Sequence, residues 1–230
     1  ALWLLQSNPA TIASSTFAGN DAVGRAPNNG STGLGGAILI NASSVVTITH
    51  STIVGNHADW VGGGITGGAG SSQTTLRATI VAHNTADNGA NPWNIAHNCS
   101  TQLLDGGGNL QFPARAHPAD PNDPNCTASI AIADPGLGPL AWNGGLAPTL
   151  APLPGSPAVD VVLSGCPPPS PDQRGAARPV GAGCDAGAVE VGAPFGVVDT
   201  PAGWASGVAG SVAVTGWALD DLGVRNVLIY

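Results

Sequence analysis

The sequence predicts an all-β chain that folds as a parallel β-helix, and three observations support this fold class. The 230 residues include 34 Gly and 20 Pro but neither Met nor Lys, a composition that disfavours long helices. Hydrophobic residues make up 43% and charged residues only 9%, as expected of a packed chain rather than a disordered one. Short stretches with period-two alternation, such as Val46–Thr49, recur in a repeating unit without a helical segment. Such a unit cannot bury its apolar side alone and must stack on its neighbours.

One short pattern defines the repeating unit. A hydroxyl residue is followed by an apolar residue two positions later and by Asn three positions after that, in Ser15–Asn20, Ser51–Asn56 and Thr79–Asn84. The last two Asn residues are 28 apart, whereas the first two are 36 apart. The longer spacing predicts a surface insertion of roughly nine residues, which we place in the polar stretch 26–33.

A second element repeats in step with the first. Gly35–Ile40 matches Gly62–Ile65, and paired glycines permit a tight bend where a Cβ would clash. Ala1–Leu4 occupies the same slot in the first unit, without its glycines. We therefore expect the chain to start inside a repeat, with further coils upstream of Ala1.

Stacked coils place equivalent residues about 4.8 Å apart, so that side chains form ladders. The repeat register predicts three such ladders, made of Ile12, Ile48 and Leu76, of Phe17, Ile53 and Val81, and of Asn20, Asn56 and Asn84. The first two should be internal apolar stacks. The third should be a polar framework at a corner, where Asn amides bond backbone groups and one another.

The four cysteines predict disulfides, because they are even in number and lack the CxxC spacing of a zinc site. We expect Cys99 to pair with Cys126 and Cys166 with Cys184, since each pair is near in sequence and flanks a loop rich in Gly and Pro. Disulfides indicate a location outside the cytosol.

The charge excludes some partners. Fourteen acidic residues against six Arg give a formal net charge of −8, so no basic face can be assembled for a nucleic acid or an anionic membrane surface. No apolar run is long enough to span a bilayer. We expect a monomer without a cofactor or metal.

Motifs in both halves resemble known bacterial surface proteins. The FxxN element ending at Asn20 and the GGxI element ending at Ile38 resemble the repeats of polymorphic outer membrane proteins. The second half resembles the choice-of-anchor Q domain through motifs that occur in order at Asp134–Leu140, Asn143–Gly145, Leu153–Asp160, Asp172–Gly175 and Gly183–Glu190. This resemblance covers residues 1–191 and implies a right-handed β-helix, of the pectin lyase-like kind, on a secreted or cell-surface protein. It implies no particular catalytic residues.

The same motifs suggest three regions. Residues 1–112 would form the coils, with degenerate continuation through Trp93 to Leu110, and residues 113–192 a disulfide-linked cap resembling the choice-of-anchor Q domain. Residues 193–230 resemble the start of a bacterial immunoglobulin-like sandwich. They are too few to complete one, because such a sandwich needs about 100 residues. Any anchoring signal would lie downstream of Tyr230.

Two carboxylates are candidates for chemistry. Asp59 and Asp87 each follow the corner Asn by three residues, so in equal register they would lie about 5 Å apart. That spacing suits a retaining glycosidase or the start of a calcium site. Both stand in turn sequence, where Asp commonly bonds backbone, and we predict that they are structural rather than metal-binding or catalytic.

The basic residues and histidines give little support to catalysis. Only Arg25 and Arg77 lie in the coils, and we expect Arg77 to be exposed on a strand face. His83 and His97 are expected to be solvated turn residues. In the cap, a charged cluster is expected to tie carboxylates and turn carbonyls together through its arginines, and it comprises Asp172, Arg174, Arg178, Asp185 and Glu190.

These observations predict a scaffold without catalytic activity. It would present the loops at 21–34, 57–61 and 85–93 to a surface glycan or protein ligand. The alternative is a carbohydrate-active β-helix enzyme, similar to polysaccharide lyases or glycoside hydrolases. The scarcity of basic residues in the coils favours binding.

Overall fold

The computed structural model describes residues 1–5, 9–24, 33–41, 45–67, 73–87, 95–119, 123–192, 195–200, 213–220 and 227. Its contacts divide the chain into two compact units, Ala1–Glu190 and Val191–Tyr230. None of the described residues forms a helix, and the first unit is built from short strands arranged in successive coils.

The first three coils have four strands each. The first coil contains β1 (Leu2–Leu4), β2 (Ala10–Ala13), β3 (Thr16–Ala18) and β4 (Asp21–Ala22). The second contains β5 (Ile38–Ile40), β6 (Val46–Thr49), β7 (Thr52–Val54) and β8 (His57–Ala58). The third contains β9 (Ile65–Gly67), β10 (Thr74–Arg77), β11 (Ile80–Ala82) and β12 (Thr85–Ala86). The chain continues through β13 (Ile95–Ala96), β14 (Leu104–Asp105), β15 (Leu110–Phe112) and β16 (Ala131–Ile132).

Equivalent strands of successive coils form four sheets. The first sheet has the order β1-β5-β9, the second β2-β6-β10-β14, the third β3-β7-β11-β15-β16 and the fourth β4-β8-β12-β13. Every pair is parallel except β12 with β13, which is antiparallel. The predicted all-β parallel β-helix is confirmed.

The predicted apolar ladders are present in the predicted register. Ile48 pairs with Ile12 on one side and Leu76 on the other, and Ile53 pairs likewise with Phe17 and Val81. The residues of the second and third coils are fully buried, whereas those of the first coil are half-buried. Burying such a side chain contributes about 1.5–3 kcal/mol, so the inner coils carry most of this core.

The corner Asn residues form a continuous amide ladder. The Asn56 carboxamide oxygen accepts from the backbone N–H and Nδ2 of Asn20, at 2.9 and 2.8 Å. The Asn84 oxygen accepts equivalent bonds from Asn56, also at 2.9 and 2.8 Å. The next rung, which the repeat does not predict, is Asn98, whose oxygen accepts from Asn84 Nδ2 at 2.9 Å. The predicted framework role of these residues is confirmed.

The glycines of the second repeated element are required by close backbone approach. A Cβ on Gly36 would lie 2.3 Å from the Gly63 carbonyl oxygen, and one on Gly63 would lie 2.1 Å from that of Thr85. In the same slot, Leu2 pairs with Ile38 and Ile38 with Ile65, as predicted. The insertion expected at 26–33 lies outside the described residues except for Gly33.

Both predicted disulfides are formed, Cys99 with Cys126 and Cys166 with Cys184. The first disulfide joins two later turns of the coil stack. Cys99 forms a backbone β-bridge with Ile65 of the third coil, and Thr127, which follows Cys126, forms one with Leu103. Parallel pairing continues to β16, which is beyond residue 112. The degenerate continuation expected from Trp93 to Leu110 therefore contains the short strands β13 and β14 and the start of β15, while Trp93 is outside the described residues.

The segment that follows β16 lies alongside the coils. Apolar residues from it cover the outer face of the third sheet in a buried cluster that includes Ile80, Ala82, Leu110, Ala158 and Ala186. Polar contacts fix the same face, since Thr16 Oγ1 is 2.6 Å from Gln173 Oε1 and Thr52 Oγ1 accepts from the Ala188 N–H. The central strands of the third sheet, β7, β11 and β15, are consequently covered on both faces.

The charged cluster of this segment does what its sequence predicts. Arg178 donates to the Glu190 carboxylate at 2.6 Å and to the carbonyls of Asp185 and Gly187. Arg174 donates to the Asp172 carboxylate and to the Glu190 carbonyl. Burial raises the pKa of Asp172, but the Glu190 N–H and the Arg174 guanidinium outweigh this and leave it lowered. The arginines hold an irregular chain that has few strands.

The second unit contains one antiparallel pair, β17 (Phe195–Thr200) with β18 (Thr215–Leu219). Val197 pairs with Trp217, whose side chain is half-exposed. Within the described part of the chain, no helix is long and apolar enough to cross a membrane.

Candidate functional site

A histidine and three aspartates meet at the corner formed by the fourth sheet. We call Asp21, His57, Asp59 and Asp87 the histidine–aspartate cluster. Strand pairing places Asp21 opposite His57, while Asp59 and Asp87 follow β8 and β12. The cluster therefore draws its members from three consecutive coils.

His57 occupies the centre of this cluster. Its Nδ1 lies 2.9 Å from Asp21 Oδ1, and its Nε2 lies 3.1 Å from Asp87 Oδ1. Both ring nitrogens carry a proton only in the imidazolium form, which can donate to both carboxylates at once. The second coil is thereby bonded to the coils on either side of it.

The charge state of His57 follows from these contacts. Partial burial lowers the pKa of His57, but the hydrogen bonds and negative charges of Asp21 and Asp87 outweigh it, so that its pKa is raised. The side chains of His57, Asp21 and Asp87 are 29%, 57% and 41% exposed. Solvent consequently reaches an ordered array of carboxylate acceptors around the His57 ring.

Asp59 has a different role from Asp87. Its Oδ2 accepts from the Gly24 N–H at 2.6 Å, which ties the second coil to the turn of the first. Asp59 and Asp87 also lie in equal register, because their backbone N–H groups donate to the equivalent residues Ala22 and Ala58. Each carboxylate is engaged by a partner in the preceding coil, Asp59 by the Gly24 N–H and Asp87 by the His57 ring, and not by the backbone of its own turn as the sequence had suggested.

The cluster contains a set of possible metal ligands. Single ligand atoms of Asp21, His57 and Asp59 lie within 4.8 Å of one another. Only neutral imidazole coordinates a metal, whereas the raised pKa of His57 favours the protonated ring. The contacts within the cluster account for all three side chains, so the geometry favours hydrogen bonding over a metal centre.

Sequence reasoning missed His57, although one signal was available. His57 follows Asp21 by 36 residues, the same spacing that separates Asn20 from Asn56. Matching unlike residue types in this register would have brought the carboxylate and the imidazole together.

Two expectations for other side chains are wrong. His97 is not a solvated turn residue, because it is buried and its Nδ1 accepts from the Gly62 N–H at 3.0 Å. Arg77 is not exposed on a free strand face, since it is half-buried and donates to the carbonyls of Ser164 and Gly165. His83 does stand in an exposed turn, edge-on to Phe112. Arg25 lies outside the described residues.

Comparison with known proteins identifies no relative of this chain. No protein-family model matches it, and neither a curated protein nor a solved structure does so. The resemblance to the choice-of-anchor Q domain stays a prediction that rests on the motifs.

Proposed function

We propose that the protein is a secreted or cell-surface scaffold that binds a glycan or protein ligand through the histidine–aspartate cluster. One observation carries this proposal. The cluster joins all three loops proposed from the sequence for ligand presentation, with Asp21 from 21–34, His57 and Asp59 from 57–61, and Asp87 from 85–93. A binding surface gains affinity when its polar groups are held in place before the ligand arrives.

The setting of the molecule supports an extracellular role. The two disulfides suit an oxidising environment. The negative net charge suits a neutral glycan or a basic protein segment and opposes nucleic acid. The proposed form is a monomer without a cofactor, on a secreted β-helix protein of the choice-of-anchor Q type.

Binding is favoured over catalysis by the way the cluster is satisfied. A general base needs a free lone pair at the reacting proton, and each nitrogen of His57 faces a carboxylate. Asp59 already accepts a short bond from a backbone N–H. The groups can orient ligand hydroxyls or ammonium groups without giving up or taking a proton.

The binding proposal is tested by glycan-array and surface-binding measurements on the whole protein. His57→Gln and Asp21→Asn should weaken binding about tenfold or more, because each removes a charge-assisted contact from the array. Asp199→Asn is the matched control, since Asp199 is an exposed carboxylate in the second unit. Equal binding by the cluster variants and the control would refute the role of this surface.

The second candidate is a carbohydrate-active β-helix enzyme, and the equal register of Asp59 and Asp87 favours it. The test is to incubate wild type, Asp59→Asn and Asp87→Asn with plant and bacterial polysaccharides, with and without calcium. We expect no cleavage by any of the three. Cleavage by wild type that disappears in either variant would replace the scaffold proposal with the enzyme.

A further inference from the structure

The two disulfides stand in different surroundings. Cys99 and Cys126 are both fully buried within the apolar core of the coils. In the other pair, Cys184 is fully buried but Cys166 is half-buried. A thiolate in solution needs access to one sulfur in order to attack a disulfide, and of the four cysteines Cys166 is the one that is not fully buried.

A buried histidine faces the sulfur of this half-buried cysteine. His50 is 0% exposed, and its Nε2 lies 3.5 Å from Cys166 Sγ. Its other nitrogen, Nδ1, lies 2.9 Å from the Thr49 hydroxyl oxygen. When the hydroxyl donates to Nδ1, the ring proton is on Nε2 and points at the sulfur.

The coil architecture does not require a histidine at this position. Ser14, His50 and Ala78 occupy the same turn in successive coils, with left-handed φ values of 44°, 45° and 46°. The turn therefore selects a backbone conformation, which Ser and Ala also adopt here. Ala78 of the next coil packs in the same cluster as Cys184, but His50 is the residue of this turn whose side chain is hydrogen-bonded to Cys166 Sγ.

The electrostatic setting favours a negative charge on sulfur. Burial, followed by the charges of Arg178 and Arg77, lowers the pKa of His50 to about 3, so its ring is neutral at neutral pH. Arg77 also donates to the carbonyls of Ser164 and Gly165, which directly precede Cys166. The charge of Arg178 is compensated by its ion pair with Glu190, so Arg77 is the cation that, together with the N–H donor, would stabilise a thiolate at Cys166.

We propose that the Cys166–Cys184 disulfide is a thiol–disulfide exchange site for dithiols, with His50 as the residue that stabilises the Cys166 thiolate. A thiolate of the dithiol attacks Cys166 Sγ, and the bond to Cys184 breaks. Cys184 leaves as a thiolate and takes a proton from solvent. The second thiol of the dithiol loses its proton to solvent and attacks the dithiol-derived sulfur of the mixed disulfide, which expels Cys166 as a thiolate to which Nε2–H donates. Two electrons pass to the protein, and the dithiol becomes a cyclic disulfide.

The first test compares the two disulfides in one molecule. The full chain is equilibrated in graded mixtures of reduced and oxidised dithiothreitol, quenched with acid, alkylated and mapped by mass spectrometry. We expect Cys166 and Cys184 to become alkylated at a reduced-to-oxidised ratio at least tenfold lower than Cys99 and Cys126. Simultaneous reduction of both pairs, or earlier reduction of Cys99–Cys126, would overturn the proposal.

The second test isolates His50. His50→Ala places at this turn the residue that the next coil already has, and it should lower the reduction equilibrium constant of Cys166–Cys184 about tenfold, equivalent to roughly 30 mV. The matched control is His83→Ala, because His83 also has a left-handed φ, of 55°, but stands in an exposed turn. The midpoint of the curve of Cys166 alkylation rate against pH should move to higher pH only in the His50 variant. If the dithiothreitol ratio at reduction and the pH profile are both unchanged in His50→Ala, His50 has no role in the exchange. The order in which the two disulfides of the wild type are reduced tests the proposal even if that variant does not fold.

Discussion

The amide ladder can be tested most sharply at Asn56, which is fully buried in its middle. Its side chain makes four hydrogen bonds, accepting two from Asn20 and donating to Asn84 Oδ1 and to the Phe17 carbonyl. Each net bond contributes about 1 kcal/mol, and buried groups left without a partner cost more. We therefore expect Asn56→Ala to lower the free energy of unfolding by about 4 kcal/mol.

The matched control is Asn20→Ala, at the half-buried end of the same ladder. Its Nδ2 donates to Asn56 at 2.8 Å, and its oxygen accepts from the Ala1 ammonium at 2.9 Å, in a more solvated setting. The Asn20 backbone N–H keeps its bond to Asn56 in this variant. We expect a loss of about 1–2 kcal/mol.

Urea unfolding followed by circular dichroism, with both disulfides intact, measures the two losses. Asn56→Asp adds a second comparison, because a carboxylate oxygen would replace the amide NH2 group that donates to the Asn84 oxygen. An unpaired buried charge makes this variant less stable than Asn56→Ala at neutral pH, with partial recovery in acid as the group becomes protonated. Equal small losses at Asn20 and Asn56 would show that the ladder does not hold the coils together.

Three further outcomes are expected. Ile53→Asp should abolish folding or lower the free energy of unfolding by several kcal/mol, because it buries an unpaired charge between Phe17 and Val81. A soluble variant with an unchanged melting temperature would contradict the ladder. The pKa of His57 is raised above 6.5, so its contribution to stability is complete below that pH and is lost as the pH rises through the raised value. His57→Gln should therefore lower the melting temperature more at about pH 5.5 than at about pH 9, and the opposite trend would argue against an imidazolium bridge. Removal of the residues after Gly192 should leave the melting of the first unit nearly unchanged, because the chain divides into separate compact units next to that point; a large decrease would show that the removed residues support the coils.

The coils could be predicted because stacking turns a spacing in sequence into a neighbour in space. The prediction stopped where that spacing changed. Asn98 follows Asn84 by only 14 residues, because β13 returns antiparallel to β12 and brings the next amide back early. A search for one fixed period does not detect such a rung.

The candidate site was harder to predict for a related reason. Asp21 and His57 share a register but not a residue type, so self-similarity does not connect them. The strand partner of His57 in the third coil is Thr85, whereas the side chain that contacts its ring belongs to Asp87, two residues further on. Only side-chain geometry shows that contact. The chain from 133 to 190 has no period at all, and its position against the third sheet depends on packing that no local pattern encodes.

The lateral cover over the third sheet has a consequence for the order of folding. Neighbouring coils close through hydrogen bonds 28 or 36 residues apart, whereas hydrogen bonds between the cover and the coils span 87 to 157 residues. Loop closure over the longer distances costs roughly 1 kcal/mol more and slows formation of the contact. A chain emerging from its N-terminus would thus form coils in which the outer face of the third-sheet strands β7, β11 and β15 remains uncovered until the last quarter of the first unit arrives. Ile80 and Leu110 would be exposed during that interval, which makes it the period of greatest risk for aggregation.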